Sequence, residues 1–312
     1  MLDRPGTARG TRDRHRRRCC IPRPVTVGLN NTPGSTDAAY WGAYEASLRN
    51  APLRLVSTWE WQPYSRASLT SNEVAEQWSR RMPAETAAEL RHRYPDLHIT
   101  AERLTGPPPE TLCRAAGESQ LLAIGSGGLA TRAGFLGGSV ASATVSLTER
   151  PVVLVGSGQR TAERDGEGRG ERTPVEVAPG PVAVELGRPS EEALRFAFEE
   201  ASLRGAPLGV THGWNRLAHF AHGTEADQVR RDEEALRSAL TPWSECYPEV
   251  PVREHSAVGE PARDLADAGA GAALVVLSQE AHPHRRGFSR VGHMTHAVLR
   301  HCPAPVAVVP RR

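Results

Sequence analysis

Glu45-Ala46-Ser47-Leu48-Arg49-Asn50-Ala51-Pro52-Leu53 recurs as Glu200-Ala201-Ser202-Leu203-Arg204-Gly205-Ala206-Pro207-Leu208, 155 residues further along the chain. The same offset carries Trp59 onto Trp214. Pro24-Val25-Thr26-Val27 precedes the first copy as Pro181-Val182-Ala183-Val184 precedes the second, and Pro151 to Val155 closes one half as Pro305 to Val309 closes the other. The chain is therefore one fold written twice. Between the copies, residues 157–180 are rich in Gly, Arg, Glu, Thr and Pro and poor in large apolar residues, the composition of an exposed linker. The expected organisation is a tail at 1–22, a first domain at 23–156, a linker at 157–180 and a second domain at 181–312.

Within each half the apolar period alternates. Val25 to Leu29 is a short apolar run, and Thr36 to Asn50 carries Ala39, Ala43, Ala46 and Leu48 on one helix face. Leu53 to Thr58 is a second strand, and Glu73 to Tyr94 a long helix with a break expected near Pro83. An edge strand at 97–104, a helix at 109–117, a strand at Leu121–Ile124, a further helix from Val140 and a strand at Val152–Val155 complete the unit. Short, fully apolar strands alternating with helices predict an α/β fold: two tandem Rossmann-like domains, each a mostly parallel five-stranded sheet with helices on both faces. In such a sheet a ligand sits at the carboxyl ends of the strands where strand order reverses, between the first and fourth strands here.

The loop after the fourth strand has the composition for that role. Gly125-Ser126-Gly127-Gly128 follows Leu121-Leu122-Ala123-Ile124, and nine residues later Gly138-Ser139 opens a helix. Glycines allow positive φ and close approach, and free N–H groups at a helix start carry partial positive charge, so the arrangement suits phosphate.

This G-x2-G-x9-G-[S/T] spacing, inside a duplicated α/β chain, resembles the nucleotide-binding class of the universal stress protein family. So do the Glu45–Leu53 segment, the Gly259-Glu260-Pro261 turn and the ending from Ala297 to Val306, and the likeness covers nearly all of residues 23–312. The resemblance implies an adenine nucleotide alpha hydrolase-like fold, ATP as ligand with Mg as a candidate companion, and pairing through the last strands, either in a homodimer or between the two halves. By position it implies Gly125, Ser126, Gly128, Gly138, Ser139 and Val140 at the phosphates, Gly28, Leu29 and Asn30 at the first-strand loop, and Thr58 near the adenine. Asn30 stands where the family usually has Asp; the amide keeps an acceptor oxygen and loses the charge, which weakens the case for a metal. Gly127 stands where many members have Arg, and Arg132 is a candidate replacement.

The second copy departs from the pattern. Counting forwards from Leu274 puts Leu277 and Glu280 at the places of Gly125 and Gly128, and counting backwards from Ala297 puts Gly292 and His293 at those of Gly138 and Ser139. A carboxylate about 4 Å from phosphate oxygens would oppose binding by roughly 4 kcal/mol at an effective dielectric near 20. The second half is therefore expected not to hold ATP in the usual way. His282, His284, His293, His296 and His301, with Arg285, Arg286 and Arg290, read as a degenerate polar loop in preference to a metal or pH-sensing cluster, because no Cys or carboxylate completes a ligand set.

Composition narrows the function. The chain has 312 residues, 39% hydrophobic and 24% charged, a net charge of +2, and 38 basic residues that are all Arg. Mean hydropathy is −0.44. No apolar run approaches the roughly 18 residues of a membrane span, and near-neutral charge gives no general affinity for nucleic acid. The first 23 residues hold eight Arg, a tail that reads as an extension or an early start before a nucleic-acid arm. Five sparse cysteines without CxxC spacing fit a reducing, cytoplasmic setting, and adjacent Cys19 and Cys20 read as ordinary thiols before a redox pair. No catalytic triad, paired carboxylate or Walker lysine is evident, and a chain without Lys excludes every Lys-dependent mechanism. The expectation is a regulatory ATP-binding protein with an unidentified protein partner and at most slow, incidental ATP turnover. The alternative is a dimeric scaffold that needs no nucleotide.

Overall fold

The computed structural model describes residues 22–60, 69–127, 140–156, 179–185, 190–214, 225–258, 269–279 and 293–311, together with 265 and 267. The Arg-rich tail to residue 21 and residues 157–178 of the expected linker lie outside them.

The first half runs β1 (Val25–Leu29), α1 (Pro33–Leu48), β2 (Leu53–Trp59), α2 (Leu69–Arg93), β3 (Ile99–Thr105), α3 (Pro108–Gly117), β4 (Leu121–Gly125), α4 (Val140–Leu147) and β5 (Val152–Val155). The second runs β6 (Val182–Glu185), α5 (Glu191–Arg204), β7 (Leu208–Trp214), α6 (Glu225–Cys246), β8 (Val252–Val258), β9 (Leu274–Ser278), α7 (His293–His301) and β10 (Val306–Val309). All strands join one ten-stranded sheet in the order β3-β2-β1-β4-β5-β10-β9-β6-β7-β8. Pairing is parallel within each half, and β5 meets β10 antiparallel, with Val153 opposite Ala307. The order reverses between β1 and β4, as the alternation predicts.

Alternate strand residues feed two faces. Val25, Val27, Leu53 and Leu55 pack with α1 and α2 in a core that continues into α5 and α6 of the second half. Val56, Leu122 and Ile124 pack under α3 and α4 on the opposite face. β1 and β5 are buried along their whole length, and β4 along all but its last residue, because helices cover both of their sides; the polar Thr26 in β1 is paired with the Ser119 hydroxyl. Helix α1 starts at a capping box in which Thr32 and Ser35 satisfy each other's backbone N–H groups, with Pro33 at its first position. Midway along it, Gly42 lies against β1 so closely that an added Cβ would stand 2.4 Å from Val27 Cγ2.

The break expected near Pro83 does not occur; α2 runs through it. Proline at 83 lacks the N–H that would bond the carbonyl of Ser79 one turn earlier. The Ser57 hydroxyl, at the end of β2, donates to that carbonyl at 2.6 Å. A tertiary donor replaces the missing helical one, so the helix continues.

The halves are also tied by charge. Glu45 on α1 and Arg49 at its C-cap meet Glu200 and Arg204 on α5: each guanidinium pairs with the carboxylate four residues before it and with the carboxylate of the other half. Both carboxylates are fully buried. Burial, then the charge of Glu45, pushes Glu200 up to about 7 against the pull of the two arginines. For Glu45, burial pulls upward, but the charges of Arg204 and Arg49 and their hydrogen bonds outweigh it and hold the group below the ordinary 4.5. The proton taken up near neutrality belongs to the interacting pair.

Three outcomes follow from this packing. Gly42→Ala should lower stability in urea unfolding by about 1–3 kcal/mol through overpacking, against the gain that alanine brings to a helix. Arg49→Met strips both carboxylates of a partner and should cost about 3–5 kcal/mol, while replacing all four charges by Met and Leu should cost far less. A folded-state carboxyl raised above its unfolded value stabilises below about pH 4.5 and loses that contribution as pH rises towards 7. Between pH 5 and 7.5 the native protein should therefore lose more stability than Glu200→Gln; equal slopes in paired urea titrations would refute the assignment.

Candidate functional site

Parallel strands bring the carboxyl ends of β1, β2 and β4 to one edge of the sheet, where a cleft of about 530 Å³ opens. Gly28, Leu29 and Asn30 enter it from β1, Ser57 and Thr58 from β2, and Gly125, Ser126 and Gly127 from β4. Helices on opposite faces of the sheet wall it, α2 through Trp78 and Met82, α3 through Pro108 and Leu112. Val140 and Ala141, the first residues of α4, complete the lining.

Two glycines shape the floor. A Cβ on Gly125 would lie 2.8 Å from the Gly34 carbonyl carbon and 2.9 Å from the Ser35 nitrogen, so only glycine lets β4 pass against the first turn of α1. Gly127 holds φ +50 with open space around it. That left-handed conformation is one that glycine adopts at little cost. The Ser126 N–H donates to the Val155 carbonyl at 2.8 Å and locks the strand end. On the facing loop, Asn31 takes φ 59, and its N–H donates to the Met82 sulfur at 3.1 Å. The Thr32 hydroxyl donates to the Asn30 side-chain oxygen at 2.7 Å.

Of the residues named from sequence, Gly28, Leu29, Asn30, Thr58, Gly125, Ser126 and Val140 line this cleft. Gly128, Gly138, Ser139 and Arg132 lie outside the described residues. Gly127, named from sequence as a departure from the family, also lines the cleft; Asn31, Ser57, Trp78, Ser79, Met82, Pro108, Leu112 and Ala141 are cleft residues that sequence reasoning did not place there. The available signal was Trp78 and Met82, two large apolar side chains at i, i+4 on a polar stretch of α2.

The cleft offers hydrogen bonds and apolar surface, with no charged side chain among its described residues. Asn30 is neutral and its oxygen is already engaged by Thr32, so the described donor set does not fit a resident Mg ion. Burial, with some help from Glu110, pushes the Cys113 thiol up, and burial does the same to Cys302. Both thiols therefore stay protonated near neutrality, which does not suit a nucleophile. Cys19 and Cys20 lie outside the described residues.

In the second half the register corrects the sequence count. Leu121 and Leu274 occupy equivalent places beside Val25 and Val182, so Ser278, not Leu277, stands where Gly125 does. The Gln279 N–H donates to the Val309 carbonyl at 2.8 Å, as Ser126 donates to Val155. A side chain at the Gly125 position rules out the close approach seen in the first half. Glu280, Gly292, His282 and His284 are outside the described residues; His293, His296 and His301 fall on α7. Among the described residues no group of three or more His, Cys, Asp or Glu is placed to hold a metal, and no helix is long and apolar enough to cross a membrane.

The model of the universal stress protein family matches residues 22–156 and again 182–310. A universal stress protein of Mycobacterium tuberculosis is 30% identical over 296 residues, covering 91% of this chain and 96% of its own. A second from the same organism is 28% identical over 312 residues, covering 91% and 94%. In fold, the chain is similar to the crystal structure of a universal stress protein from Archaeoglobus fulgidus, with a TM-score of 0.65 at 16% identity over 92% of this chain and 96% of that one. Two family matches in tandem, on two halves of matching strand order, make this chain a member of the universal stress protein family.

Proposed function

We propose that the protein binds ATP in the cleft of its first half and acts as a nucleotide-responsive regulatory protein, with no catalytic role beyond slow, incidental turnover. The observation that carries this reading is the floor of the cleft. Gly125 pressed against the first turn of α1, left-handed Gly127 and the start of α4 at Val140 border one space at the switch point of a parallel sheet. Such a floor receives phosphate through backbone N–H groups and helix ends instead of side-chain cations. The floor ends at Gly127 and α4 starts at Val140, so occupancy alters the surface around both and what a partner meets there. The second half, with Ser278 in place of the critical glycine, serves packing and pairing.

Calorimetry and mass analysis of nucleotide carried through purification test the reading; no bound nucleotide and no binding at millimolar ATP would favour the nucleotide-independent scaffold. A sharper comparison uses Gly127→Asp and Gly127→Asn. A Cβ there meets nothing within 4 Å, and Asp and Asn both tolerate a left-handed backbone, so the two variants share fold and strain. The carboxylate alone repels phosphate, by up to roughly 4 kcal/mol at 4 Å and an effective dielectric of 20. ATP affinity should fall at least tenfold further in Gly127→Asp than in Gly127→Asn; equal affinities would remove the phosphates from this floor.

A further inference from the structure

Trp78 is a large apolar side chain left 49% exposed, and it stands in the wall of the cleft. Exposure of that much indole is unfavourable in the free protein, and its position is not loosely held. The turn of α2 that carries it is anchored twice. The Ser57 hydroxyl holds the carbonyl of Ser79, the one Pro83 leaves without a helical donor, at 2.6 Å. One turn further on, the Met82 sulfur accepts the N–H of Asn31 at 3.1 Å, tying the same face of α2 to the loop after β1. The wall opposite, Pro108 and Leu112 on α3, is apolar as well. The glycine floor and the start of α4 thus offer one polar end, while an indole carried on an anchored turn and an apolar facing wall offer a flat, weakly polar one.

We propose that Trp78 is the stacking platform for the base of the bound nucleotide, a binding residue that adds affinity for a purine without choosing between purines. This rests on reading the cleft as a nucleotide site. Stacking of a base on an aromatic side chain contributes about 1–3 kcal/mol by alanine replacement, equivalent to roughly 5- to 150-fold in affinity. Every base has a π-face, so ATP and GTP should be affected alike.

The experiment measures ATP and GTP binding by calorimetry and tryptophan emission on the full chain, the Trp78→Ala and the Trp78→Phe proteins. Circular dichroism and urea midpoints check that removing a half-exposed side chain leaves the fold intact. Expected are quenching of the native emission by saturating ATP, loss of that quenching in Trp78→Phe with affinity nearly retained, and a 5- to 150-fold weaker affinity for both nucleotides in Trp78→Ala. If the native protein binds ATP but Trp78→Ala binds it equally, or Trp78→Phe is quenched as strongly as the native protein, the platform is overturned while the nucleotide site stands. If the native protein binds neither nucleotide at millimolar concentration, the reading of the cleft fails and the platform with it.

Discussion

Two carboxylates and two guanidiniums sealed between α1 and α5 constrain the rest of the molecule. An ionised group taken out of water is tolerated only when opposite charges and hydrogen bonds surround it. Here each of the four has two partners, one on its own helix and one from the other half. Such a ring exists in one mutual placement of the halves, so it specifies their registration even where it adds little net stability. It also explains the recurrence of the Glu45–Leu53 segment. A contact about an approximate two-fold axis needs the same residues from each side, and Glu and Arg spaced by four supply one acid and one base per copy. The repeat most visible in the sequence is thus the signature of the seam between the halves, and the ligand cleft lies elsewhere.

The antiparallel meeting of β5 and β10 has a second consequence. Each half gathers its strand ends on one edge, and the reversal at the seam sends those edges to opposite sides of the sheet. The two switch points therefore lie on opposite edges, and the second lacks the glycine geometry of the first. Ser278 fills the Gly125 position, and its neighbour Gln279 reaches across the seam instead, donating from its side chain to the Val145 carbonyl at 3.1 Å. That carbonyl lies in the last turn of α4, where backbone acceptors lack helical partners. The residue that follows the glycine position in one half has become a cap for a helix of the other, and that helix begins in the cleft.

Fold and site were legible to different depths for physical reasons. Alternation of period placed β1, β2, β4, β5 and most of the helices because burial on one or two faces leaves a direct apolar pattern. The Pro83 break was misread because the compensating donor, Ser57, is on another element, invisible to any local rule. Leu277 was placed at the glycine position by counting; pairing register, which moves the position to Ser278, is a property of neighbouring strands. The glycine run at Gly125 is legible by its spacing, and Gly28, Leu29, Asn30 and Thr58 only through the family resemblance. Trp78 and Met82 are legible by neither, since helical periodicity says which residues share a face and not that this face overlooks a cleft.

The chemistry of the cleft fits this division of labour. With no charged side chain among its described lining, the cleft would, on the proposed reading, attract phosphate through backbone dipoles, which are fixed by the fold and do not titrate near neutrality. The tuning of affinity is thereby shifted to geometry: the closeness of Gly125 to α1, the placement of α2 over β2 by one serine hydroxyl, and the seating of α4, whose far end is held by Gln279. Gln279 follows β9, the neighbour of seam strand β10, and its bond to the Val145 carbonyl ties the second half to the helix that begins in the cleft.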